Sequence, residues 1–208
     1  MIPPDVLFVF AAASVALALA PGPDNIFVLT QSALSGRMAG VLVTLGLATG
    51  VMVHTTLVAL GVAVIFQTSQ AAFTALKIAG AGYLLWLAWK SFRAGAADVA
   101  GRGVRRLPAS QLYTRGVIMN LTNPKVAIFF LAFLPQFADP ARGSVTVQIF
   151  LFGAVFALCA LVIFSAVAWA AGFLGQWLGA SPRAQVALNR IAGIVFAGLA
   201  LRLLTAQR

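Results

Sequence analysis

Pro21-Gly22-Pro23-Asp24-Asn25 and Asn120-Leu121-Thr122-Asn123-Pro124-Lys125 each interrupt a long apolar stretch, and each sets one charge inside it. Pro removes a backbone donor and clashes with the preceding turn, so a helix unwinds at both places. A charge at the centre of a membrane helix costs about 2.5–3.5 kcal/mol on insertion scales. Chains keep such charges where they line a pathway or bind something. Gly/Pro-interrupted segments at corresponding places in two halves of a membrane protein are the sequence pointer to a substrate site.

Outward from these breaks the chain is apolar along its length. Its 208 residues are 62% hydrophobic and 9% charged, with a mean hydropathy of +1.00. Soluble chains are about 25% charged, and apolar runs of about 20 residues match a hydrocarbon core of about 30 Å. The predicted class is all-α and polytopic, embedded in the lipid bilayer. Met1-Ile2-Pro3-Pro4-Asp5 carries an acid and no base, so the first apolar stretch is read as a membrane helix rather than a cleaved leader.

Six spans are predicted. The first runs from Val6 to Ala20 and resumes from Ile26 to Ala33; the second covers Ala39–Phe66 and the third Phe73–Trp89. The fourth covers Gly116–Phe137 and is broken at Asn123-Pro124, the fifth covers Val145–Phe173 and the sixth Ala187–Leu204. The polar stretch from Lys90 to Gln111 divides residues 1–89 from 112–208, one three-helix unit on each side. Lys77-Ile78-Ala79-Gly80 and Arg190-Ile191-Ala192-Gly193 fall in the third span of each unit. Three spans per unit force the second copy to enter from the opposite face, giving an expected 3+3 inverted repeat.

The net charge of +10 follows the loops. Arg37, Lys90, Arg93, Arg102, Arg105, Arg106, Arg115, Arg183 and Arg190 gather on one face, against Lys77, Arg142, Arg202 and Arg208 on the other. The positive-inside rule then puts the linker in the cytoplasm and both termini outside. No basic stripe interleaved with aromatics points to a nucleic-acid partner. Cys159 stands alone, which excludes an intramolecular disulfide and a thiolate metal cluster.

The candidate site residues follow from the breaks. Asp24 is expected to line the site, with a plain N-cap as the alternative. Lys125 is expected to act as a fixed cation for a carboxylate or as a partner for Asp24, with a Lys held on a carbonyl as the alternative. Together they form a cradle for a zwitterion, Asp24 toward an ammonium and Lys125 toward a carboxylate, and pair with each other when it is empty. Asn25, Asn120, Thr122 and Asn123 supply neutral donors and acceptors, while Pro21, Gly22, Pro23 and Pro124 break the helices.

His54, the only histidine, is a candidate proton relay with Asp24; packing is the alternative. Gln31, Thr44 and Thr49 are weaker candidates for the same cavity. Gly36 through Gly40 and Gly46 through Gly50 fit small-xxx-small packing, read first as packing within the protomer and second as a homodimer face. Trp86, Trp89, Trp169 and Trp177 read as interfacial anchors.

The stretch from Pro21 to Asn25 with Gly36-Arg37 and Gly40, and the stretch from Asn120 to Lys125 with Phe133-Leu134-Pro135-Gln136-Phe137, resemble the LysE/RhtB family of bacterial amino-acid exporters. The resemblance covers length, span count and motif order. It implies an inner-membrane carrier that expels amino acids or derivatives, driven by protons. Basic-amino-acid exporters of that family tend toward Gly-Pro-Gln-Asn at the first break. Pro-Gly-Pro-Asp-Asn is similar to the homoserine, threonine and leucine branch, implying a neutral cargo. An ion or metal transporter is the first alternative, although one Asp and one His are few ligands for it. A non-transporting assembly factor is the second, and leaves Asp24 and Lys125 unexplained. No GxxxxGK[ST] loop occurs, so direct ATP drive is not expected, and no catalytic set, cofactor or metal is implied.

Overall fold

The computed structural model describes residues 2–68, 70–95, 107–171, 173 and 181–205. Its elements, in chain order, are α1 (Pro4–Leu19), α2 (Pro23–Ser35), α3 (Arg37–Thr68), α4 (Gln70–Arg93), α5 (Ala109–Thr122), α6 (Pro124–Ile128), α7 (Val145–Trp169) and α8 (Pro182–Thr205). The chain leaves α6 through a π-helical turn, Phe129–Phe133, and a 3-10 turn, Leu134–Phe137. No strand occurs among the described residues.

Helix α3, α7 and α8 are each long and apolar enough to cross a membrane. The pairs α1/α2 and α5/α6 with its continuation qualify only together, bent by 60° and 51°. At 1.5 Å per residue α1 and α2 reach about 24 and 20 Å, short of a core of about 30 Å, so the first break falls at membrane depth. Helix α4 is 24 residues long, yet is not among the helices apolar enough to cross by composition; Lys77, Lys90 and Arg93 interrupt it.

Helix boundaries follow local chemistry. Prolines stand in the first turn of α1, α2 and α6, where their missing N–H is no loss. Helix α4 continues through Lys90 to Arg93, past the expected end at Trp89, because bases suit the negative end of a helix. Helix α5 begins at Ala109, behind Pro108. Helix α8 starts at Pro182 rather than Ala187, placing Arg183 and Arg190 on the helix instead of in a loop. Helix α7 ends at Trp169, four residues before the expected Phe173. Arg102, Arg105, Arg106, Trp177 and Arg208 lie outside the described residues.

Glycines set the close helix crossings. A Cβ on Gly46 would press on Gly116 and one on Gly50 on Asn120, so α3 and α5 run side by side in the same direction. Gly40 meets Ala168 while Gly153 meets Thr55, so α3 and α7 are antiparallel. Gly80 faces Leu203 and Gly193 faces Phe92, so α4 and α8 are antiparallel too. The small-residue stretches at Gly40 and Gly46–Gly50 thus serve packing within the chain. Helix α1 packs on α7 as α5 packs on α3.

The buried centre is aromatic. Phe10, Phe129, Phe130, Phe133, Phe137, Phe152 and Phe156 form a chain of ring contacts. Outward-facing Leu57, Leu60, Leu158, Val162, Ile194 and Leu201 are exposed, as expected of a lipid-facing surface. Arg37, Lys90 and Arg93 lie over Trp169, Trp86 and Trp89 respectively. The loop from Asp139 to Ser144 is tied down by Gln148, which donates to the Asp139 and Gly143 carbonyls and accepts from the Asp139 N–H. Arg142 and the Ala141 N–H hold the exposed Asp139 carboxyl below its ordinary pKa.

Candidate functional site

The two breaks meet. Helix α1 ends at Leu19, and its last carbonyls have no partner in their own helix. Two side chains supply donors. Asn25 Nδ2 donates to the Ala18 carbonyl at 2.8 Å. Lys125 Nζ, from the other half of the chain, donates to the Leu17 carbonyl at 3.2 Å and the Ala20 carbonyl at 3.0 Å. A cation is thereby set against the negative end of α1.

Asp24 lies in the first turn of α2, whose N-cap is Gly22 with no side-chain cap bond. The capping alternative therefore does not describe its carboxylate. Asp24 Oδ2 accepts from Asn123 Nδ2 at 2.9 Å, while the carboxylate still enjoys the positive end of α2. Asn123 joins the breaks: its Oδ1 accepts the Lys125 backbone N–H at 3.0 Å, and its own N–H donates to the Asn120 carbonyl.

Asp24 is 2% exposed and Lys125 8%. Asp24 and Lys125 form no direct salt bridge, although each still feels the other's charge. The expected pairing is thus met only at longer range, without direct contact. Lys125 is held on backbone carbonyls, Asp24 on an amide, and Asn123 stands between. The geometry explains why: the carbonyls left over at the end of α1 compete for the ammonium and are otherwise unsatisfied.

Each charge keeps a bonding position open. A Lys ammonium has three donors, and the hydrogen bonds of Lys125 Nζ use two of them. Asp24 Oδ1 is buried without a hydrogen-bond partner, as are Asn25 Oδ1 and Asn120 Oδ1. Two buried charges, each with a bonding position unfilled, thus stand at one junction and are joined through Asn123.

Gly22 fits this site by size. Its backbone is extended, with φ −171°, a conformation open to any residue, so conformation does not demand glycine. A Cβ there would lie 3.2 Å from Lys125 Nζ. Glycine lets the ammonium reach the end of α1.

His54 is buried, and its Nε2 lies 3.3 Å from the Asn120 carbonyl oxygen. A carbonyl carries no proton, so Nε2 is the donor. The imidazole thus contacts the carbonyl that also accepts the Asn123 N–H. Gly50 leaves room for the Asn120 side chain, since a Cβ there would come within 2.7 Å of Asn120 Cβ and Oδ1.

The remaining candidates sit elsewhere. The Thr122 hydroxyl is exposed and returns to the Ile118 and Met119 carbonyls of its own helix. Thr44 is buried but donates to the Gly40 carbonyl. Thr49 is spent on the Leu45 carbonyl and the Tyr113 hydroxyl. Gln31 is buried in α2. Sequence reasoning missed the π-helical turn after Lys125, because nothing in Val126–Leu134 marks it. Such turns recur at functional sites. Among the described residues no three His, Cys, Asp or Glu side chains converge as for a metal ion.

Broken helices meeting around buried, incompletely paired charges define a multi-pass helical membrane protein built like a carrier. Residues 15–207 match the family model for the LysE type translocator, and the chain belongs to that family. It is 32% identical over 189 residues to the homoserine/homoserine lactone efflux protein of Salmonella typhimurium, covering 91% of each chain. It is 28% identical to the leucine efflux protein of Salmonella choleraesuis over 200 residues, 95% of this chain and 94% of the relative. A leucine efflux protein of Klebsiella pneumoniae is 29% identical over 204 residues, again 95% and 94%. No solved structure matches the chain.

Proposed function

We propose that this chain is a secondary transporter of the bacterial inner membrane that exports small neutral amino acids or close derivatives, driven by protons. One observation carries the reading: each of two buried opposite charges keeps one bonding position unfilled. An α-ammonium suits Asp24 Oδ1, the oxygen that the bond to Asn123 leaves free. An α-carboxylate suits the third N–H of Lys125. Cargo of this kind fills on each charge the one bonding position that its neighbours leave open, and hydrogen bonds to charged groups are the stronger ones.

The names of the relatives favour homoserine, its lactone and leucine as cargo classes. The lactone has no free carboxylate, so Lys125 would meet its ring carbonyl instead. Asp24 is the proton-carrying group in this reading, and His54 reaches it through Asn120 and Asn123.

The 3+3 inverted repeat accounts for the packing. Helices second in each half, α3 and α7, run antiparallel, as do the third pair, α4 and α8, which is what opposite entry requires. The linker is then cytoplasmic, with both termini outside. The test is export itself. Cells loaded with labelled amino acids, one at a time, are followed with and without the protein. Accelerated loss of a neutral amino acid, abolished by Asp24→Asn, is expected. Equal retention for every amino acid tried would sink the reading.

A further inference from the structure

A cleft with one basic residue lies away from the broken-helix junction. Phe133, Gln136, Phe137, Arg202, Leu203 and Thr205 line a cleft of about 260 Å³, the scale of a small metabolite rather than a larger ligand. It lies where the 3-10 turn Leu134–Phe137 meets the end of α8. Its one charge is Arg202, whose guanidinium lies 4.5 Å from the centre of the Phe137 ring. Among the described residues Arg202 has no ion pair. Arg142 is by contrast bonded to Asp139. The Gln136 amide, half-buried in the cleft, has no hydrogen bond among the described residues.

The position relates to the junction by a short path. From Lys125 to Gln136 the chain climbs 11 residues of helical backbone, about 16 Å. That is half of a hydrocarbon core of about 30 Å. If Lys125 sits at mid-membrane, Arg202 and Gln136 sit at the surface opposite the linker. Between the two cations stand Phe129, Phe133 and Phe137, with successive ring centres 4.9 and 5.0 Å apart. The column ends under the Arg202 guanidinium.

We propose that this cleft is a carboxylate subsite at the mouth of the pathway, where Arg202 receives the cargo's carboxylate after it leaves Lys125. Arginine presents a planar fork that takes a carboxylate with two parallel N–H donors, and Gln136 adds an amide donor beside it. The aromatic face holds the cation in place without neutralising it. Thr205, already donating to the Leu201 and Arg202 carbonyls, offers an acceptor for the ammonium. The identity of the cargo rests on the reading above; the anion selectivity of the cleft does not.

Two arms test this on the full chain in phosphatidylcholine vesicles. In the first, arginine modification by phenylglyoxal is followed residue by residue. Propionate and leucine are expected to slow modification of Arg202 about three- to tenfold, in line with a charge-assisted pair that stays partly solvated. Isopentylamine, which has leucine's side chain and no carboxylate, is expected to leave it unchanged, and Arg142 serves as the control. Equal modification with and without propionate overturns the proposal. So does protection by phosphatidylglycerol that leucine cannot displace, which would make the cleft a lipid-phosphate site.

In the second arm, Arg202→Gln is expected to raise the half-saturating leucine concentration about three- to tenfold on the face bearing the α8 C-terminus and not on the other. Equal change on both faces overturns the subsite. Wild-type protein that carries no amino acid would refute the export reading, while propionate protection would still decide the cleft.

Discussion

Lys125 holds the end of a helix that begins 121 residues earlier in the chain: its Nζ donates to the Ala20 carbonyl at 3.0 Å. The same ammonium reaches Leu17, so one side chain from the second half closes the broken helix of the first. Hydrogen bonds to charged groups are worth about 1.5–3 kcal/mol each. Lys125→Ala is therefore expected to abolish export and also to loosen the end of α1. Lys125→Arg is not a neutral exchange, because a planar fork cannot address two carbonyls and a third ligand as an ammonium does. Its expected result is protein at wild-type abundance in the membrane with export near background. Wild-type export from either variant would remove Lys125 from the site.

Asp24→Asn separates charge from shape. Asparagine keeps an oxygen for Asn123 Nδ2, which now donates to Asp24 Oδ2 at 2.9 Å, so the junction is expected to stay closed. What disappears is the negative charge offered to an ammonium. Membrane abundance should be unchanged and export should fall at least about a hundredfold, as for loss of a buried ion pair worth about 3 kcal/mol. Labelled-amino-acid efflux, normalised to membrane protein, is the measurement. Retained export would show that the carboxylate charge is not needed.

The sequence made some of this readable. Both Pro breaks are visible because Pro21, Pro23 and Pro124 have only one local meaning inside an apolar run, and α3 and α7 begin where their polarity changes. The burial of Asp24 and Lys125 is likewise legible, since no surface lies close by in the chain. What joins them is not. Asn123 could donate to Asp24 or turn back to its own helix, as Thr122 does, and only the crossing of α2 with α5 and α6 decides. The carbonyls that hold Lys125 are equally silent, because every residue has one. Arg202 reads as a helix-end base until the ring of Phe137 and the amide of Gln136 are found beside it.

Gly22 tests packing at the junction. Alanine suits its extended backbone, so any effect must come from the methyl group, 3.2 Å from Lys125 Nζ. Gly22→Ala is expected to reduce export several-fold and Gly22→Val to abolish it, a graded loss that follows side-chain volume. Gly50→Ala offers the comparison on α3, where the new methyl presses on Asn120. Overpacking there should cost about 1–3 kcal/mol of stability, read as a lower melting temperature in detergent. Wild-type export from Gly22→Val would mean that Lys125 need not approach α1 during transport.

His54 contacts the junction only through the Asn120 carbonyl, with Nε2 at 3.3 Å. That oxygen also accepts the Asn123 N–H, and Asn123 holds Asp24. Protonating the imidazole would strengthen its pull on the shared carbonyl and weaken the hold on Asn123, linking proton occupancy to the carboxylate. Glutamine in place of His54 keeps an N–H donor but cannot titrate. His54→Gln is therefore expected to remain folded and export-competent, with a pH dependence flatter than the wild type's because the one titrating imidazole is gone. The measurement is efflux from energised cells as external pH is varied, with a protonophore control that should halt concentrative export by the wild type. A His54→Gln profile superimposed on the wild type's would assign the imidazole to packing against Phe130, 5.9 Å away between ring centres, and leave Asp24 as the proton site on its own.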